Sequence, residues 1–69
     1  MEKKMLVEGM KCMHCKASVE KALKNVPGVS DAEVDLEKKT ATIILDDQVS
    51  DDALKDAVRE KGFEPVRFL

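Results

Sequence analysis

The stretch Val29-Ser30-Asp31-Ala32-Glu33-Val34-Asp35-Leu36-Glu37-Lys38-Lys39-Thr40-Ala41-Thr42-Ile43-Ile44-Leu45 decides how this chain folds. Between Val29 and Leu36, the apolar residues Ala32, Val34 and Leu36 fall at every second position, which places them on one side of a strand. Between Thr40 and Leu45, Ala41, Ile43 and Leu45 do the same, in a segment rich in the β-branched residues that suit a pleated surface. Glu37-Lys38-Lys39 reads as the hairpin turn joining them, without the Asn-Gly pair that marks such turns most strongly. Each strand has one apolar face, and the flanking sequence must cover it.

Upstream, Val19, Ala22, Leu23 and Val26 recur at i, i+3, i+4 and i+7, the stripe of an amphipathic helix. That helix is expected over about Cys15 to Val26, ended by Pro27-Gly28. Before it, Lys3 to Glu8 alternates as a strand with Met5 and Val7 on one face, and Gly9 punctuates it. Downstream, Ser50 is a good N-cap, and Asp51 and Asp52 suit the positive end of a helix dipole. The second helix runs to about Lys61 with Ala53, Leu54, Ala57 and Val58 inward, and Gly62 stops it. Glu64 to Phe68 reads as a last strand, placed at a sheet edge by Pro65. Alternation does not fix its inward phase.

The element order is therefore βαββαβ, with right-handed crossovers. Both helices have one apolar face, so both belong on the same side of a four-stranded antiparallel sheet. This is an α+β, ferredoxin-like arrangement, expected as a single domain over residues 1–69. It assigns no function by itself.

The totals exclude several functions. A chain of 69 residues buries only about 60% of its unfolded surface, which leaves little room for an enclosed catalytic pocket, and no enzyme is expected. Twelve Lys and Arg against 14 Asp and Glu give a net charge of −2, the wrong sign for non-specific nucleic-acid binding. Phe63 and Phe68 are the only aromatics, too few for base stacking. No apolar run is long enough to span a membrane. The start, Met1-Glu2-Lys3-Lys4, meets charge too soon for a signal peptide. The expected compartment is the cytoplasm, where thiols stay reduced.

The two cysteines, Cys12 and Cys15, lie three residues apart. A disulfide closing so short a loop stabilises little, so metal binding or thiol chemistry is the better explanation. Cys12 falls in the loop and Cys15 in the first helical turn, so both thiols can face one point. Thiolate is the soft ligand that selects Cu(I), zinc or iron–sulfur centres. A structural zinc site closes with four protein ligands and an iron–sulfur cluster with four cysteines. Two cysteines and His14, the one histidine, fall short of both. Cu(I), Ag(I) and Hg(II) accept low coordination, whereas zinc would need water or a partner's ligand. The unpaired N–H groups at the helix start favour thiolate over thiol, with Lys11 and Lys16 assisting.

Gly9-Met10-Lys11-Cys12-Met13-His14-Cys15 resembles the GMxCxxC loop of heavy-metal-associated domains. The resemblance covers essentially the whole chain: Val19, Ala22, Leu23, Pro27-Gly28-Val29, Val34 and Gly62-Phe63 also match the family's spacing. Within that family the chain is similar to the small bacterial copper chaperones, whose loop often carries His before the second Cys. The resemblance implies Cu(I) held by Cys12 and Cys15 and passed to a metal-binding domain of a copper-transporting P-type ATPase. A copper-responsive regulator is a further implied partner. It also implies that Met10 anchors the loop by packing inward, while Met13 faces water or a partner. His14 reads as an exposed or tuning residue or as a third ligand, and it could join the shell if copper bridges two copies of an otherwise monomeric protein.

Phe63 is expected near the metal loop. Tyr is common there in the bacterial chaperones and Phe in ATPase-linked domains, so an excised ATPase domain or a mercury-binding protein is the alternative within the family. A chain from Met1 to Leu69 points to the free chaperone. Outside the family, the rivals are a small thiol oxidoreductase and a metal-free interaction module. Lys11, Lys16, Lys21 and Lys24 gather around the loop and first helix, whereas Asp31, Glu33, Asp35, Asp46, Asp47, Asp51 and Asp52 lie elsewhere. The basic group reads as a solvated face or as a docking face for an acidic partner.

Overall fold

The structure is a computed structural model, and it describes residues 1–46 and 48–69. Asp47, one of the acidic residues placed away from the loop, lies outside the described residues. The elements follow in the order β1 (Glu2–Glu8), α1 (Met13–Lys24), β2 (Val29–Asp35), β3 (Thr40–Leu45), α2 (Asp51–Glu60) and β4 (Glu64–Phe68). The strands form one antiparallel sheet in the order β2-β3-β1-β4, with both helices packed on one face, the ferredoxin-like arrangement.

The inward residues of the central hairpin are those that alternation picks out. Ala32, Val34, Ala41, Ile43 and Leu45 are buried. The strand ends one residue early, at Asp35, and Leu36 enters the turn while still packing against the core. Lacking a glycine, the turn places Lys39 at φ 57, in the left-handed region. The Asp35 carboxylate accepts the Lys38 N–H at 3.2 Å and steadies it.

Each helix closes the core with its apolar stripe. Val19 and Leu23 of α1, and Leu54 and Val58 of α2, are fully enclosed, together with Met5, Val7 and Ile43 from the sheet. No polar or charged side chain is buried among the described residues. Ser50 caps α2 as expected: its Oγ accepts the Ala53 N–H at 3.2 Å.

Helix α1 begins at Met13, two residues before the expected Cys15, and ends at Lys24 rather than Val26. Cys12 takes an extended backbone (φ −151, ψ 173), and its carbonyl accepts the Lys16 N–H at 3.1 Å, so the first turn winds directly behind it. At the other end Pro27 disfavours helical backbone at the residue before it. Val26 instead donates its N–H to the Leu23 carbonyl at 3.1 Å, a tightened last turn.

Strand β4 is an edge strand, as Pro65 requires. Its pairing explains why alternation left the phase open. Phe68 faces Met5 and Arg67 faces Leu6, but Pro65 faces Val7, so Val66 is an extra, unpaired residue. The bulge puts Pro65 and Phe68 on the core side, three residues apart. Ser30 is the extra residue of a similar shift in β2.

Candidate metal centre

The loop between β1 and α1 is fixed at both ends before it presents any chemistry. Gly9 turns the chain at φ +97, a backbone that side chains rarely adopt. Met10 then plunges inward and is only 7% exposed, which pins the loop to the core as expected. Phe63 lies over the same turn: a Cβ on Gly9 would come 3.5 Å from its ring. Met13, by contrast, is 66% exposed.

Between the buried Met10 and the first turn of α1, both cysteines reach the surface as free thiols. Cys12 is the exposed N-cap residue and Cys15, half-buried, is the third residue of the helix. Their Sγ atoms lie 3.3 Å apart, in hydrogen-bond contact. A disulfide would need about 2.05 Å. The two residues named from sequence are thus brought to one point.

Electrostatics favour a thiolate there. The Cys15 thiol is held below its usual range, first by the backbone N–H of Lys11 and then by the Cys12 thiol. Burial opposes this, and the N–H groups of Cys12 and Cys15 add to it. Converging backbone N–H groups of this kind form an anion-binding nest. The helix start, with Lys11 and Lys16 assisting, was expected to favour thiolate, whereas the largest contribution is the Lys11 main chain. The one residue-type signal in that loop was Gly9, which turns the chain at φ +97.

The remaining residues stand apart from the pair. His14 is exposed, and no group of three or more His, Cys, Asp or Glu side chains converges among the described residues. Lys11 and Lys16 flank the thiols in sequence. Lys21 and Lys24 occupy the last turn of α1, at the opposite end of the helix, where Lys24 pairs with Asp31 at 3.6 Å. The basic residues therefore do not form one ring around the loop. No helix among the described residues is long and apolar enough to cross a membrane.

A ferredoxin-like βαββαβ sheet carrying a paired-cysteine loop at the start of its first helix defines the class, and the chain belongs to the heavy-metal-associated domain family, whose model matches residues 4–64. More particularly, it is 46% identical over 61 residues to a protein of Staphylococcus aureus, "Copper chaperone CopZ", spanning 87% of this chain and 90% of that one. Among solved structures it is similar to a "CopZ metallochaperone" (TM-score 0.92, 40% identity, 96% of this chain and 100% of that one). It is also similar to a copper binding domain from HMA7, a P-type ATPase (TM-score 0.91, 36% identity, 99% and 92%).

Proposed function

We propose that this chain is a cytoplasmic copper chaperone, a carrier rather than a catalyst, built as one heavy-metal-associated unit over residues 1–69. In this reading Cys12 and Cys15 hold Cu(I) as a dithiolate and pass it to a metal-binding domain of a copper-transporting P-type ATPase. The observation that carries it is the 3.3 Å thiol pair at the molecule's surface, with Cys15 already biased toward thiolate. The similarity to a copper chaperone over 87% of the chain supports the choice of copper and of the free chaperone. The likeness to a copper binding domain of a P-type ATPase supports the choice of partner, because a domain of the same fold that also binds copper is suited to exchange it directly.

The geometry sets how loading proceeds. Metal–sulfur bonds of about 2.3 Å would subtend only ~90° across a 3.3 Å sulfur pair, and a linear site needs the sulfurs about 4.6 Å apart. Cys15 is held by the helix and the N–H nest. Cys12, exposed at the N-cap, is the one that swings outward. Uptake displaces the remaining thiol protons to solvent and changes no oxidation state. In transfer, a partner thiolate adds to the copper, giving a three-coordinate intermediate. Cys12 then departs and takes up a proton, a second partner thiol gives up its proton and takes the vacated position, and Cys15 leaves last, so the copper ends on two partner sulfurs.

Under reducing, oxygen-free conditions, the Cu(I)-loaded chain mixed with an ATPase metal-binding domain should share its copper with that domain, followed by separating the two proteins. Copper retained by the chain, together with undiminished uptake by Cys12→Ser and Cys15→Ser, contradicts the reading. Ag(I), Hg(II) and zinc are the metals to compete against Cu(I). The close thiol pair also fits disulfide exchange, and turnover of a disulfide substrate such as insulin would favour an oxidoreductase instead.

A further inference from the structure

Strand β2 forms one edge of the sheet, and an edge normally offers unpaired N–H groups to any incoming strand. Here the N–H of Val34 donates to Glu20 Oε2 at 2.9 Å, and that of Ala32 donates to Asp31 Oδ1 at 2.9 Å. Both N–H groups spend their hydrogen bond on a carboxylate rather than on β3. The Val34 partner is not local: Glu20 reaches across from α1, 14 residues away in sequence. One turn further along α1, Lys24 pairs with Asp31 at 3.6 Å and holds the second carboxylate over the same edge. The opposite edge is blunted by other means, Pro65 and the bulge at Val66.

We propose that the carboxylates of Glu20 and Asp31 close the β2 edge against strand addition by a second copy of this chain. The occupant follows from the edge itself. Ala32 and Val34 sit symmetrically about Glu33, so a two-fold axis beside Glu33 would set Ala32 of each copy against Val34 of the other. Each pair would then exchange N–H···O=C bonds, which makes the edge complementary to itself. Asp31, Glu33 and Asp35 project from the exposed side of the same strand and would meet their own kind across that axis. The edge is therefore geometrically able to pair, and held back by capped donors and like charge.

The test compares two double variants of equal charge, without metal and with chelator and reductant present so that copper bridging plays no part. Glu20→Gln with Asp31→Asn keeps both side-chain acceptors, whereas Glu20→Ala with Asp31→Ala removes them. Sedimentation at raised salt, which screens the acidic row, should show a concentration-dependent dimer for the alanine pair and a monomer for the amide pair. In dilute solution the Val34 amide of the alanine pair should exchange with deuterium about tenfold faster or more, as expected for losing a hydrogen bond to a charged group. Protection at Ala32 and Val34 should return as the dimer forms. An alanine pair that stays monomeric, an amide pair that dimerises equally, or a dimer leaving those two amides unprotected each overturns the proposal.

Discussion

Cys15 differs from an ordinary surface cysteine because backbone N–H groups, that of Lys11 foremost, hold its thiol below the usual range, and Cys12 Sγ lies 3.3 Å away. Folding therefore makes its proton easier to lose. Between the lowered folded value and the ordinary unfolded one, the folded chain binds fewer protons, so stability rises with pH across that window. The contribution is complete above the unfolded value and disappears as pH falls through the folded one. With Cys15 as the proposed copper ligand, copper affinity should follow the same direction, since protons compete for the sulfur below the folded value. Titration of Cys15 by thiolate ultraviolet absorbance should place it below a model peptide. In Cys12→Ala it should move back up part of the way, because the Lys11 N–H remains. An unchanged value in that variant would contradict the assigned contact. The pairing of Cys12 with Cys15 was legible from spacing alone. The N–H nest was not, because main-chain direction in a short loop leaves no mark on residue type beyond Gly9.

Elements are fixed as much by their ends as by their faces, and the glycines at those ends divide by mechanism. Gly28 has φ +94 between α1 and β2, and a Cβ there would run into Val49 Cγ2. Gly62 has φ +88 after α2 and nothing within 4 Å of that position. Gly62→Ala should cost about 1–2 kcal/mol, from backbone strain alone. Gly28→Ala adds the displacement of a buried valine, an overpacking cost of about 1–3 kcal/mol more. A domain this small has roughly 3–5 kcal/mol to lose. Gly28→Ala should therefore melt far earlier than Gly62→Ala or fail to fold, and equal denaturant midpoints for the two would refute the packing argument. Both helices and the central hairpin were readable from period. The start of α1 was misplaced because Met13 and His14 look like loop, yet the extended backbone at Cys12 lets the helix wind immediately behind it. The phase of β4 was hidden because a bulge at Val66 breaks the alternation from which phase is read.

At the scale of the molecule, a span of 30 × 20 × 17 Å leaves room for one apolar layer between helices and sheet, and that layer holds no polar side chain among the described residues. Chemistry is thereby pushed to the rim, where Met10 anchors a loop whose cysteines face solvent. An ion bound there is shielded on one side and open on the other, the condition for direct exchange between proteins. X-ray absorption at the copper edge of the Cu(I)-loaded chain tests this most directly. A low-coordinate Cu(I) shell made of the two sulfurs of Cys12 and Cys15 is expected, abolished when both are replaced by alanine. A shell dominated by nitrogen or oxygen, or one that survives in the double alanine variant, would contradict it.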